Sequence, residues 1–68
     1  MSDPAKLVMM ANQIARNLEA LGHDKAVAAT AEHIRDFWDP RMKAGIAGAP
    51  GLSEIAEKAV QQVLAGTA

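Results

Sequence analysis

The chain has 68 residues, seven Lys and Arg against eight Asp and Glu, two His and no Cys. That balance excludes disulfides and thiolate metal sites, and it argues against the basic face of a nucleic-acid binder. Half of the residues are apolar, but 15 of those 34 are alanine, so one small domain over 1–68 is expected, with a core worth about 3–5 kcal/mol and a partner as the missing stabiliser.

Asp3-Pro4 predicts a helix start, with Asp3 as N-cap and Pro4 at the first helical position. Leu7, Met10, Ala11, Ile14, Leu18 and Leu21 then recur at spacings of three and four, the period of an amphipathic helix. The helix is expected over 3–22, with Gly22 as its left-handed stop. Asp24 is expected to cap a second helix, 24–38, with Val27, Ala31, Ile34 and Trp38 inward and Thr30 and Phe37 at the edge. Asp39-Pro40 ends that helix, because the residue before proline avoids the helical region. The same pair starts a short helix over 40–47, expected to fade among its glycines. Ala49-Pro50-Gly51 reads as a loop. Ser53 caps a last helix, 53–65, with Ile55, Ala56, Ala59, Val60 and Val63 inward and Glu54 and Lys58 paired outside. Gly66-Thr67-Ala68 is expected to fray. No stretch alternates with period two, so the fold class is all-α: a small helical bundle of three main helices plus one short helix.

The residues that do not fit the stripes carry the functional signal. Met9 lies opposite the Leu7–Ile14–Leu18 stripe and shares that face with Asn12, Gln13 and Arg16. Phe37 and Trp38 are adjacent and point about 100° apart, which a bundle this small struggles to bury. Leu64 is also on the far side of its helix. Large apolar groups beside Arg suggest a protein-binding face, since such types carry most hot-spot energy. The Asp39-Pro40 turn is expected to hold Phe37, Trp38, Pro40, Arg41 and Met42 on one rigid corner, with His33 at the rim. The competing reading packs Trp38 inward on Ile34 and Leu18 and leaves only Arg41 facing out. The partner-binding candidates are therefore Met9, Asn12, Gln13, Arg16, His33, Phe37, Trp38, Pro40, Arg41 and Met42.

Catalytic, cofactor-binding and metal-binding residues are expected to be none. His33 and Asp36, three apart on one helical face, could form an acid–base pair. No nucleophile-plus-base constellation accompanies them, and Gly45, Gly48 and Gly51 match no phosphate-binding pattern. His23 and His33 cannot close a metal cage by themselves. No apolar run reaches the 18 or more residues of a membrane span, and the N-terminus does not read as a signal peptide. A cytoplasmic protein is expected.

Two segments carry a resemblance: Met10-Ala11-Asn12-Gln13-Ile14, and His33-Ile34-Arg35-Asp36-Phe37-Trp38-Asp39-Pro40-Arg41-Met42. Together they resemble the delta subunit of cytoplasmic, NAD-dependent, molybdenum-containing formate dehydrogenases, over residues 7–44. The second segment is the specific one, with His, Trp and Pro in fixed order. The chain departs from the family at Asn17 and Leu18, where a bulky aromatic pair is common. The tail after Pro50 is variable in that family and adds nothing to the resemblance. The resemblance implies a non-catalytic accessory subunit that supports assembly or stability. It implies partner subunits, the catalytic one first among them, that hold the molybdenum cofactor, iron–sulfur clusters and FMN.

Two other readings stay open on the residues alone. One is a self-associating helical interaction module, a homodimer when isolated, unrelated to formate oxidation. The other is a helix-turn-helix DNA binder, since Gly22 separates two helices. Its reading helix would begin Asp24-Lys25-Ala26-Val27-Ala28-Ala29, which offers almost nothing to base edges.

Overall fold

A computed structural model of the chain describes residues 3–66. Four α-helices run in order: α1 over Pro4–Leu18, α2 over His23–Phe37, α3 over Pro40–Ile46 and α4 over Glu54–Leu64. A 3-10 turn, Glu19–Leu21, follows α1. No strand occurs among the described residues, so the chain is the all-α bundle that its periodicity predicts. Of the segment expected to fray, Thr67 and Ala68 lie outside the described residues.

Three helices begin where a side-chain oxygen takes an otherwise unpaired N–H. Asp3 accepts from the Ala5 N–H at 3.0 Å, and Pro4 follows. Asp39 accepts from the Met42 N–H at 2.8 Å, and Pro40 follows. The Ser53 hydroxyl accepts from the Ala56 N–H at 3.3 Å. The second helix differs from expectation. Its cap is Gly22, whose φ of +97° is open to glycine, and its first residue is His23. Asp24 lies inside the first turn and does not cap it.

The inward stripe of α1 is narrower than its spacing suggests. Leu7, Ala11 and Ala15 are buried, and Val8, Asn12, Ile14 and Leu18 are half-buried. Met10 and Leu21, expected inward, are 38 % and 51 % exposed. Met10 falls at the stripe's edge. Leu21 belongs to the 3-10 turn, whose tighter winding swings it out of α-helical phase.

In the fold, α2 packs most extensively on α4, while α1 lies against α2, α3 and α4. The core joins Leu7, Ala11 and Ala15 to Ile34, Trp38, Ile46, Ala56 and Val60. Alanine at the contact positions lets the helix axes approach closely. Ile46, at the end of the short helix, is almost fully buried, and this anchor keeps α3 helical through Gly45. Lys43 Nζ donates to the Arg35 carbonyl at 3.0 Å, tying α3 back to the last turn of α2 and satisfying one of its free carbonyls.

Candidate functional site

The ten sequence candidates separate into three groups. The outward face of α1 holds Met9, 62 % exposed, with Gln13 and Arg16 also exposed. These three border a shallow cleft of about 670 Å³ together with Ala5, Val8, Asn12 and Asn17. Arg16 makes no ion pair among the described residues.

The second group is the corner between α2 and α3. Phe37 is 75 % exposed, and His33, Pro40 and Arg41 are exposed beside it in sequence. The His33 and Phe37 rings lie 4.9 Å apart with planes tilted by 38°, one turn apart on α2 as their i,i+4 spacing requires. The corner is stiff because Asp39 caps α3 and Lys43 holds the end of α2. Arg41 makes no ion pair among the described residues.

The third group turns inward. Trp38, expected on the contact surface, is only 5 % exposed and belongs to the core with Ile34 and Ile46. Its backbone is extended, φ −88° and ψ 137°. That break from the helix turns the indole inward and leaves Phe37 outside. Met42 is half-buried against the same core. Asn12 is half-buried, and its amide is used within the chain. Its Nδ2 donates to the Gly51 carbonyl at 3.0 Å, and its Oδ1 accepts from the Ser53 N–H at 2.8 Å. Asn12 therefore fixes the loop before α4 to the middle of α1.

The acid–base pair considered for α2 does not form. Asp36 accepts from Arg35, Nε to Oδ1 at 3.0 Å, and the His33 ring instead lies against Phe37. That hydrogen bond, aided by the charges of Arg35, Lys43 and His33, holds the Asp36 carboxyl below the ordinary carboxylate range. The same bond raises the Arg35 guanidinium above its ordinary value. Glu54, expected beside Lys58, instead meets His23 Nε2 at 2.7 Å, while His23 Nδ1 meets Asp24 at 3.3 Å. This link between the starts of α2 and α4 joins residues 31 positions apart, and no local spacing could have shown it. It borders a second cleft, of about 510 Å³, between α1 and the start of α4.

Among the described residues no group of three or more His, Cys, Asp or Glu could hold a metal ion. None of the described helices is long and apolar enough to cross a membrane. The exposed groups of these faces are Met9 and Phe37, the amide of Gln13, and Arg16 and Arg41, which make no ion pair among the described residues.

The model of the NADH-dependent formate dehydrogenase delta subunit family, FdsD, matches residues 6–60. Comparison with curated proteins and with solved structures gives no match. The match spans both recognised segments, all of α2 and α3, and nearly all of α1, and it runs on into α4. The chain belongs to the family of NADH-dependent formate dehydrogenase delta subunits.

Proposed function

We propose that the chain is a non-catalytic subunit that supports assembly or stability of a cytoplasmic, NAD-dependent formate dehydrogenase. The observation that carries the reading is the corner at Phe37. A phenyl ring 75 % exposed stands beside a buried Trp38 and an Arg41 without an ion pair, on a turn locked at both ends. An exposed aromatic next to Arg on a rigid support is hot-spot chemistry, because little freedom is lost when it docks. In this reading Phe37, His33, Pro40 and Arg41 bind another subunit of the complex, the catalytic one first among them. The molybdenum cofactor, iron–sulfur clusters and FMN belong to those other subunits. This chain offers no cysteine, and its one His–carboxylate cluster among the described residues, His23 with Asp24 and Glu54, joins the starts of α2 and α4. A subunit that binds only the folded, assembled form of its partners stabilises it by mass action.

The test is recovery of the tagged chain from its own cells. The expected result is co-purification of the other subunits, with molybdenum and formate-dependent NAD reduction in the eluate. Phe37→Ala should reduce that recovery while leaving the free chain helical by circular dichroism. A folded parent chain that brings down no formate-oxidising activity contradicts the reading.

A further inference from the structure

We propose that the outward face of α1 takes an acidic amphipathic helix from another formate dehydrogenase subunit, seated on Met9 and paired with Arg16. This inference rests on the subunit reading above and adds a second contact, with its partner's chemistry, on a different helix.

Ala5, Met9 and Gln13 follow one another at i,i+4, so they form a ridge along α1. Ala5 is small, and Met9 stands 62 % exposed beside the 670 Å³ cleft. Met suits such a place because its unbranched thioether adapts to the shape of an incoming apolar side chain. The floor is already fixed. Val8 packs against the core, and Asn12 is held by Gly51 and Ser53. A fixed floor lowers the ordering cost of docking.

The occupant's backbone follows from the donors available. The N–H and C=O groups in the middle of α1 are spent within the helix, so this face offers side chains only. A partner segment must bring a backbone that satisfies itself, and a helix does so. Gln13 and Asn17 supply amides at the rim.

The occupant's charge follows from the residues lining the cleft. Arg16 is the one charged residue among them. Lys6 lies on the same side of α1, with Gln13 and Asn17. Asp3 caps the helix, while Glu19 and Glu54 line the neighbouring cleft, on the other side of Arg16, and make no ion pair with it among the described residues. A second copy docking through this face would set cations against cations, because a two-fold contact opposes a surface to itself. A helix with Asp or Glu flanking Leu- or Phe-type residues complements the face instead.

The test uses the complex purified without this chain, to which the parent chain and its Arg16→Glu, Arg16→Lys and Met9→Asp variants are returned. Circular dichroism confirms that each variant is folded. The expected result is parent binding that weakens as salt rises. Affinity should fall about tenfold or more for Arg16→Glu and Met9→Asp and stay near parent for Arg16→Lys. Carbodiimide coupling of the parent complex should join Lys6 to an Asp or Glu in an amphipathic helix of another subunit, a readout that stands even where a variant fails to fold. Parent-like affinity for Arg16→Glu and Met9→Asp overturns this inference and leaves the subunit reading intact. A parent chain that fails to bind overturns the subunit reading itself. An isolated dimer that Met9→Asp dissolves assigns the face to a second copy, and that too overturns the inference.

Discussion

Asn12 and Ser53 lie 41 residues apart in the chain, yet the Asn12 side-chain oxygen accepts from the Ser53 N–H at 2.8 Å. Ser53 is also the cap of α4. One amide on α1 thus sets where the last helix begins. Its Nδ2 holds the Gly51 carbonyl at 3.0 Å, so the loop is fixed at two points two residues apart. Asn12→Ala removes both bonds. Each neutral hydrogen bond contributes about 0.5–1.5 kcal/mol, and both loop groups can turn to water, so a loss of about 1–2 kcal/mol is expected. For a chain of this size that lowers the melting temperature by roughly 4–8 °C per kcal/mol. Asn12→Asp keeps the acceptor for Ser53 but sets a second acceptor against the Gly51 carbonyl, so it too should melt lower. An unchanged thermal midpoint in both variants would show that the clamp contributes nothing.

Thr30 is completely buried, and its hydroxyl has no hydrogen-bond partner among the described residues. A buried donor left unmet costs about 1–3 kcal/mol, and valine has nearly the same shape without that donor. Thr30→Val should raise stability by about 1 kcal/mol. Urea unfolding checks it: the midpoint should rise with the slope unchanged. A lower midpoint would mean that the hydroxyl is satisfied in solution.

Trp38 and Phe37 should respond in opposite ways. Trp38 is 5 % exposed and Phe37 is 75 % exposed. Trp38→Ala should cost about 3–5 kcal/mol of fold stability, as much as a core of this size supplies, so the free chain should lose most of its helix by circular dichroism. Phe37→Ala should change the free fold by about 0.5 kcal/mol or less. If Trp38→Ala leaves the helix content intact, the indole is not part of the core in solution.

That pair also shows how far the residue pattern reaches. On a helical wheel Phe37 falls within about 20° of Ala26, and Ala26 is fully buried. Position around the helix is the same, but the covering differs along it. Periodicity reports the angle at which a side chain leaves α2, not how far along α2 a neighbour extends. Caps are more legible because they are local: Asp3, Asp39 and Ser53 each accept from a backbone N–H two or three residues on. At α2 the glycine expected as the stop of α1, Gly22, is also the N-cap of the next helix, and Asp24, expected to cap it, falls within the first turn. The exposure of Met9, Gln13 and Arg16 is readable because they oppose the stripe. Asn12 borders the same cleft, but its bonds to Gly51 and Ser53 could not be read from the spacing because those partners are remote in the chain.

The Arg35–Asp36 pair gives a pH dependence of known sign. Asp36 titrates below its ordinary range because of the hydrogen bond from Arg35 first. A folded-state value below the unfolded one contributes stability above the unfolded value, and that contribution is lost as pH falls through the folded value. The two side chains are 44 % and 47 % exposed, so salt screens the pair. In an NMR titration the Asp36 carboxyl should move back towards the ordinary range in Arg35→Ala. A titration curve unaffected by the substitution would contradict this assignment.

In the function proposed, this chain holds other subunits together rather than performing chemistry of its own. Thermal unfolding of the purified formate dehydrogenase complex, made with and without the chain, separates the two. The complex lacking the chain should be recovered in lower yield or unfold at a lower temperature, and adding back the folded chain should restore it. A complex that assembles fully loaded with cofactor and unfolds at the same temperature without this chain would show that the chain has no such role.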